Sequence, residues 1–252
     1  MDYTATDALA AGFDEVVLIV REDVRDELLD HIGKFWPTEL GVKAVVQGPI
    51  SGTAQAVASA RDAVTGSFGV ANADDLYGDA AMRKLAEETR NLDERTHSII
   101  GYRLADTVLT DAPVTRGVCE TTPDGDLLRI VEQTVQREGD RLSGKALDSP
   151  SDEPAHELSG DEIVSMNLWG FSYSIFADLG AALESFDPET APHQPGKPPE
   201  LLLPSVVGNL VTAGSVRVRV VRTEGRCIGI THPDDLPLVC EIVAKERHGS
   251  TA

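Results

Sequence analysis

One stretch of the sequence, residues 46–78, constrains the fold more than any other. It starts at the end of Val42–Gln47, which has the composition of a short buried strand and is ended by a glycine and a proline. Thr53–Val64 then carries alanine and valine at helical spacing, and a second strand, Phe68–Ala73, ends at two aspartates. This order is typical of α/β folds, in which ligands bind beyond the carboxyl ends of the strands.

Strands and helices alternate along much of the chain. The strand Glu15–Val20 precedes an amphipathic helix, Glu22–Phe35, and a charged helix near Ala80–Arg90 precedes a strand near Ser98–Leu104. Such alternation predicts a three-layer, Rossmann-like α/β fold, with helices on both faces of a mostly parallel central sheet.

The sequence pattern changes after Thr115. Arg116–Thr121 and Leu127–Gln136 have the pattern of extended segments, and a Pro-Asp-Gly-Asp turn lies between them. These two segments predict a small β-ribbon over the carboxyl edge of the sheet.

The length of the chain suits a single α/β domain. We expect this domain to span residues 1–246, with residues 247–252 as a tail. Residues 187–199 contain five prolines and no periodic apolar pattern, so they predict an exposed surface loop.

The composition excludes several classes of protein. A formal net charge of −20 argues against nucleic-acid binding, because phosphate backbones are bound by clustered lysine and arginine. No apolar run approaches the roughly 18 residues of a membrane-spanning helix, and the N-terminus has no apolar signal segment. The three cysteines lack the C-x-x-C spacing typical of zinc sites. We therefore expect an acidic, cytoplasmic protein with no membrane partner.

The glycine turn and the acidic pair have residue types that suit a bound nucleotide. Gly52 lets a flat base or a phosphate approach the backbone, and Thr53 places a hydroxyl at the start of a helix. Asp74 and Asp75 offer the carboxylate oxygens that Mg²⁺ prefers. The alternative is structural: the glycine forms an ordinary turn, and the aspartates cap a loop.

These residues also carry a family resemblance. Gln47, Gly52–Ala54 and Asn72–Gly78 resemble the nucleobase and metal motifs of the sugar nucleotidyltransferases, or NDP-sugar pyrophosphorylases. Later segments agree in order and spacing: Gly101–Leu104, Arg116–Glu120, Met166–Phe171 and Gly229–Asp235. The resemblance implies the nucleotidyltransferase fold and the transfer of a nucleotidyl group from a nucleoside triphosphate to a sugar 1-phosphate, releasing pyrophosphate.

The resemblance also implies roles for individual residues. Gln47, Gly52 and Thr53 would contact the nucleotide, and Asp74 would bind Mg²⁺, with Asp75 as an alternative ligand or a supporting neighbour. The residues implied for the sugar phosphate are Gly117, Glu132 and Asn167. Each of these three also has a plain explanation as a turn, a surface charge or a strand cap.

The chain departs from the family pattern in three places. No glycine-rich loop with an arginine precedes Asp2–Ala11, a segment that resembles the helix following that loop. Arg226–Gly229 lacks a second acid found in many members, and the residue after Glu132 is Gln133 instead of the lysine often found after this glutamate. Either the chain is a truncated product or start-site error, or it is a natural short form.

Two functions therefore stay open. The first is a nucleotidyltransferase whose activity in this chain is doubtful, and the second is a non-catalytic protein that binds nucleotides or nucleotide sugars. The resemblance implies a further strand before the glycine-rich loop, and its loss would leave unpaired backbone groups at a sheet edge, which makes a homo-oligomer possible.

Overall fold

The computed structural model describes residues 1–48, 52–147, 149–150, 152–189, 199–229, 240–241 and 243–244. The helices of this part are α1 (Asp2–Ala11), α2 (Arg25–Phe35), α3 (Thr53–Ser59), α4 (Asp79–Arg90), α5 (Ile175–Glu184) and α6 (Leu203–Thr212). Its strands are β1 (Glu15–Val20), β2 (Gly41–Val46), β3 (Phe68–Val70), β4 (Asp75–Leu76), β5 (Thr96–Arg103), β6 (Val114–Thr121), β7 (Leu127–Glu138), β8 (Arg141–Ala146), β9 (His156–Leu158), β10 (Ile163–Phe171), β11 (Arg217–Arg222) and β12 (Ile228–Gly229).

The central sheet has eight strands in the order β11-β5-β10-β6-β7-β8-β9, with β3 paired to β10 as well. Helices cover both of its faces, so the predicted α/β fold is confirmed. The relative directions of the strands differ from the prediction of a mostly parallel sheet. β11 and β5 are parallel, whereas the other neighbouring pairs of this sheet are antiparallel. The prediction is wrong on this point because β10 lies in the centre of the sheet and runs antiparallel to β3, β5 and β6.

The predicted β-ribbon is present as the antiparallel hairpin of β6 and β7. It does not form a separate layer, because β6 pairs with β10 at Val118 and Gly117 and so continues the central sheet. Most of the predicted proline-rich loop lies outside the described residues.

Apolar side chains form one cluster on each face of the central sheet. Along β5, Ile100 and Tyr102 face α4, whereas Ile99 faces the opposite cluster with α5 and α6. A third, smaller cluster lies apart from these two and joins α1, α2 and the start of β2. β1 and β2 form their own parallel two-stranded sheet beside it.

The contact between α4 and the sheet depends on two glycines that face each other. Gly69 in β3 and Gly170 in β10 are register partners. A Cβ atom on Gly69 would lie 2.7 Å from a methyl carbon of Leu85, and one on Gly170 would lie 3.5 Å from the other. The glycines therefore let the Leu85 side chain seat directly on the backbone of the sheet.

We expect Leu85→Ala to lower the free energy of unfolding by about 2–5 kcal/mol, because it leaves a cavity at this seat. Leu128→Ala serves as the matched control, since Leu85 is 2% exposed and Leu128 is 51% exposed. Urea denaturation of both variants tests the expectation. Equal losses of stability would contradict the packing described here.

Candidate functional site

The acidic pair follows β3, as predicted, but its two carboxylates differ in environment. Asp74 is exposed, whereas Asp75 is buried at the start of β4. Oδ2 of Asp75 accepts a hydrogen bond from Nδ2 of Asn72 at 2.9 Å and lies 3.2 Å from the Tyr77 hydroxyl. Asp74 is therefore open to a ligand, while Asp75 is already engaged by the protein.

Burial makes Asp75 hold its proton more strongly than usual. It raises the pKa of the Asp75 carboxyl, and the charge of Asp74 adds a smaller effect in the same direction. The hydrogen bonds from Asn72 and Tyr77 lower this pKa, but by less than burial raises it. The single hydrogen of the Tyr77 hydroxyl is shared between two acceptors, because the hydroxyl lies 2.9 Å from the carbonyl oxygen of Met166 and 3.2 Å from Oδ2 of Asp75.

Asn167 lies directly after Met166 and has an unusual backbone conformation. Its φ is 57°, in the left-handed region that asparagine tolerates better than most residues. The register between β10 and β5 shifts between Ser165 and Trp169, so Asn167 lies in an irregularity of the strand. Strained backbone of this kind is concentrated at functional sites.

The three residues predicted for the sugar phosphate lie on three neighbouring strands. Gly117 in β6 is the register partner of Ser165 in β10 and of Glu132 in β7. A Cβ atom on Gly117 would lie 3.0 Å from Oε1 of Glu132, so the glycine leaves room for this carboxylate. The fold thus brings Gly117, Glu132 and the strand that carries Asn167 together.

The charge of Arg116 acts on both Asp75 and Glu132, an effect that the sequence did not reveal. Its guanidinium donates to the main-chain oxygens of Thr107 and Thr115, at 2.6 and 2.8 Å. Its charge lowers the pKa values of the Asp75 and Glu132 carboxyls, although burial has the larger effect and raises both. The Glu132 residue as a whole is exposed, and its Oε1 atom lies beside Gly117.

The residues predicted for the nucleotide have structural partners. Gly52 has a φ of 94°, and a Cβ atom there would lie 2.5 Å from the carbonyl oxygen of Leu201. The Thr53 hydroxyl accepts a hydrogen bond from the backbone N–H of Leu203 at 2.9 Å, at the start of α6. Gln47 is half-buried after β2. Nucleotide binding by these residues stays a prediction.

A cavity of about 570 Å³ extends from β1 to β3 and reaches part of the predicted site. Thr53, Asn72 and Asn167 line it, whereas Gln47, Gly52 and Asp74 are not among the described residues that do. Its described lining includes two acids, Asp14 and Glu15, and no lysine or arginine.

The segment that lacks the expected second acid does lie beside the acidic pair. β12 pairs with β4, and Gly229 is the register partner of Asp75. Within the described residues no group of three or more His, Cys, Asp or Glu side chains could hold a metal ion. Asp74 is thus the available carboxylate at this edge, and it suits a Mg²⁺ ion that is bound mainly by phosphate oxygens and water.

Comparison with known proteins identifies the family. The model of the nucleotidyl transferase family matches residues 1–185. No curated protein sequence matches the chain. Within the described residues, no helix has the length and apolar character needed to cross a membrane.

Several solved structures share the fold. A putative glucose-1-phosphate thymidylyltransferase from Bacillus anthracis, in complex with a sucrose, is 14% identical, with a TM-score of 0.63 over 96% of this chain and 81% of that chain. HddC from Yersinia pseudotuberculosis is 18% identical, with a TM-score of 0.58 over 95% and 84% of the two chains. An apo UDP-glucose pyrophosphorylase is 14% identical, with a TM-score of 0.59 over 98% and 86%. At these identities the structures show a common fold.

We expect Asp75→Asn to raise the free energy of unfolding at pH 7. The raised pKa of Asp75 means that the folded protein favours the protonated carboxyl, whose contribution is present below the ordinary value of 3.8 and is lost as the pH rises through the folded value. The gain should therefore shrink as the pH falls through the raised folded value, and it should be absent below about 3.8. Urea denaturation of both proteins across this pH range measures the difference in their free energies of unfolding.

Asp74→Asn is the control for this experiment, because it removes the same charge from the exposed neighbour. Its stability should stay within about 0.5 kcal/mol of the wild type at every pH. A destabilised Asp75→Asn variant at pH 7 would show that the ionised carboxylate is required by the fold.

Proposed function

Because this chain belongs to the nucleotidyl transferase family, we propose that it binds a nucleoside triphosphate with Mg²⁺ and a sugar 1-phosphate. The reaction that such a site serves is attack of the sugar phosphate oxygen on the α-phosphorus of the nucleotide. A new phosphorus–oxygen bond forms while the bond to the β-phosphate breaks, so the products are a nucleotide sugar and pyrophosphate.

The observation that carries this proposal is the convergence of β3, β6, β7 and β10. The Tyr77–Met166 hydrogen bond brings the acidic loop to β10. Register pairing places Gly117 beside the same strand and Glu132 beside Gly117. Glu132 and Asn167 can accept hydrogen bonds from sugar hydroxyls, and the amide of Asn167 can also donate. Gly117 lets a sugar approach the main chain.

Asp74 would hold Mg²⁺ in this proposal, because it is exposed and its carboxylate accepts no hydrogen bond from the described residues. When bound, the ion neutralises charge on the phosphate oxygens. Asp75 would support the loop instead, since its carboxyl is buried and bonded to Asn72 and Tyr77. Gln47, Gly52 and Thr53 would face the nucleotide.

The charged side chains that line the cavity favour nucleotide binding over turnover of the nucleotide in the 252-residue chain. Pyrophosphate departure places negative charge on the leaving group, and enzymes stabilise such charge with prearranged cations and N–H donors. The described lining of the cavity has no lysine or arginine for this purpose, and Arg116 is held by Thr107 and Thr115. A non-catalytic, nucleotide-binding role is therefore the second candidate.

Calorimetric titration and pyrophosphate release together separate the two candidates. We expect Mg²⁺-dependent binding of a nucleoside triphosphate, and pyrophosphate release near background with a panel of sugar 1-phosphates. Turnover at about 1 s⁻¹ or faster, an ordinary enzyme rate, would instead establish catalysis. Failure of every nucleotide and sugar phosphate to bind would contradict the proposed site.

Asp74→Asn should weaken Mg²⁺-dependent nucleotide binding. Contacts to charged groups contribute about 1.5–3 kcal/mol, which corresponds to about a ten- to hundredfold increase in Kd. Asp140→Asn, in the turn between β7 and β8, is the charge-matched control and should leave Kd unchanged. Equal effects of the two substitutions would mean that net charge, and not a metal ligand, governs the affinity.

Asn167→Gly separates a ligand role from a backbone role. Glycine adopts the left-handed conformation freely, so the variant keeps the strand irregularity but loses the side-chain amide. We expect the protein to stay folded while sugar 1-phosphate binding weakens. Unchanged affinity in a folded Asn167→Gly protein would show that Asn167 serves only the shape of the strand.

A further inference from the structure

The strands β6, β7 and β8 extend the central sheet beyond β10, and one face of this extension is open to solvent. Along β7, Glu132, Thr134 and Gln136 are exposed, whereas Gln133 and Val135 between them are buried. This alternation is typical of an antiparallel sheet with one face in the core and the other in solvent. The face that carries Glu132, called the open face below, is therefore accessible to a ligand.

Register pairing places a first row of residues on the open face. Gly117 in β6 is the partner of Glu132 in β7. The N–H of Leu147, directly after β8, donates to the carbonyl oxygen of Glu132 at 2.9 Å. Residues opposite one another on paired strands share a face of the sheet. The first row thus contains the glycine and the carboxylate that are the candidates for contacting the sugar.

A second row lies two residues farther along each strand, at a distance of about 7 Å from the first. Thr134 is the register partner of Thr115 on one side and of Lys145 on the other. Both threonines are exposed, and Lys145 is half-buried. The second row therefore offers two hydroxyl groups and one ammonium group on the same face as the Glu132 carboxylate.

Lys145 supplies a positive charge that its neighbours on the open face lack. The other lysine or arginine on this face of β7 and β8 is Arg141, four residues away and opposite Glu138. Gln133 is uncharged and lies on the opposite face, where a Cβ atom on Gly144 would be 2.4 Å from its Oε1 atom. Lys145 is thus the cation of the second row.

We propose that the second row binds the phosphate group of the sugar 1-phosphate, with Lys145 as its cation and the hydroxyls of Thr115 and Thr134 as hydrogen-bond donors. The inference rests on the proposed function, in which Gly117 and Glu132 contact the sugar. The spacing of the two rows suits a sugar ring on the first row and the phosphate on its C1 atom on the second.

The charges of the ligand and of the first row explain why a cation is needed. A phosphate monoester carries about −1.5 to −2 charges at pH 7, and the nearby Glu132 carboxylate repels it. A charge-assisted hydrogen bond from an ammonium group offsets this repulsion. Lys145 already has an interaction within the chain. Its ammonium group has three hydrogens, so it can donate to a phosphate as well.

The second row begins beside the strand that carries Asn167. Ser165 in β10 is the partner of Gly117, and Thr115 and Asn167 each lie two residues from that pair, in the same direction along the sheet. Thr115 is therefore the member of the second row nearest to β10. This position agrees with attack of the sugar phosphate on a nucleotide whose Mg²⁺ ion is held by Asp74.

Calorimetric titration with a panel of sugar 1-phosphates tests the role of Lys145. We expect Lys145→Gln to raise Kd by about tenfold or more, because it removes a contact to a charged group. Arg141→Gln is the matched control, since it removes the same charge from the same face of β8 about 13 Å away. Its Kd should be unchanged. Lys145→Arg keeps the charge and should bind more tightly than Lys145→Gln.

Inorganic phosphate tests the second row without the sugar. We expect its titration to shift the backbone amide signals of Thr115, Thr134 and Lys145 in the wild-type protein, and to shift them much less in Lys145→Gln. The signals of Arg141 and Glu138, at the far end of the same strands, should stay in place. The spectrum of each variant without phosphate shows whether it is folded.

The outcomes separate this inference from the proposed function. Tight binding of a sugar 1-phosphate that is unchanged in folded Lys145→Gln protein would overturn the inference and leave the proposed function in place. Equal increases in Kd for Lys145→Gln and Arg141→Gln would also overturn it, because net charge alone would explain them. Phosphate shifts that depend on Lys145, without binding of any sugar 1-phosphate, would support the phosphate site and contradict the proposed function. Absence of both kinds of binding would overturn both.

Discussion

The hydrogen bond between the Tyr77 hydroxyl and the Met166 carbonyl oxygen, 2.9 Å long, holds the candidate site together. It joins the acidic loop after β3 to the central strand β10, next to the left-handed Asn167. Tyr102 donates from β5 to the Tyr77 carbonyl oxygen, also at 2.9 Å, so two strands fix the same loop. Burial raises the pKa of Tyr77, so its hydroxyl keeps its proton. The position of both aspartates depends on this buried side chain.

Local features of the site could be predicted from the sequence, because their signals lie within a few residues. The aspartates after β3 and the hairpin of β6 and β7 follow from short patterns of apolar, glycine and turn residues. The relative directions of the strands in the central sheet could not be predicted, because they depend on the place that β10 takes in it. The hydrogen-bond partner of the Thr53 hydroxyl, Leu203, is 150 residues away in the sequence. The structural role of Thr53 could therefore not be predicted from the sequence either. The effect of Arg116 on Asp75 and Glu132 could not be predicted for a similar reason, because these residues come close only in the folded chain.

The cavity and the candidate site meet where Asn72 and Asn167 lie. The described lining supplies amides there but no basic side chain, and the exposed Asp74 follows the lining residue Ala73. The negative charge of Asp74 at this point gives a Mg²⁺ ion an electrostatic reason to bind.

We propose that Asp74, Asn167, Gly117 and Glu132 belong to one site. Paramagnetic broadening of backbone amide signals tests this directly, with Mn²⁺ in place of Mg²⁺ and a nucleoside triphosphate present, because both ions prefer carboxylate and phosphate oxygens. We expect broadening to start at Asp74 and to spread first to Asn72 and Asn167, then to Gly117 and Glu132. Broadening centred on other exposed acids, with these residues unaffected, would contradict it.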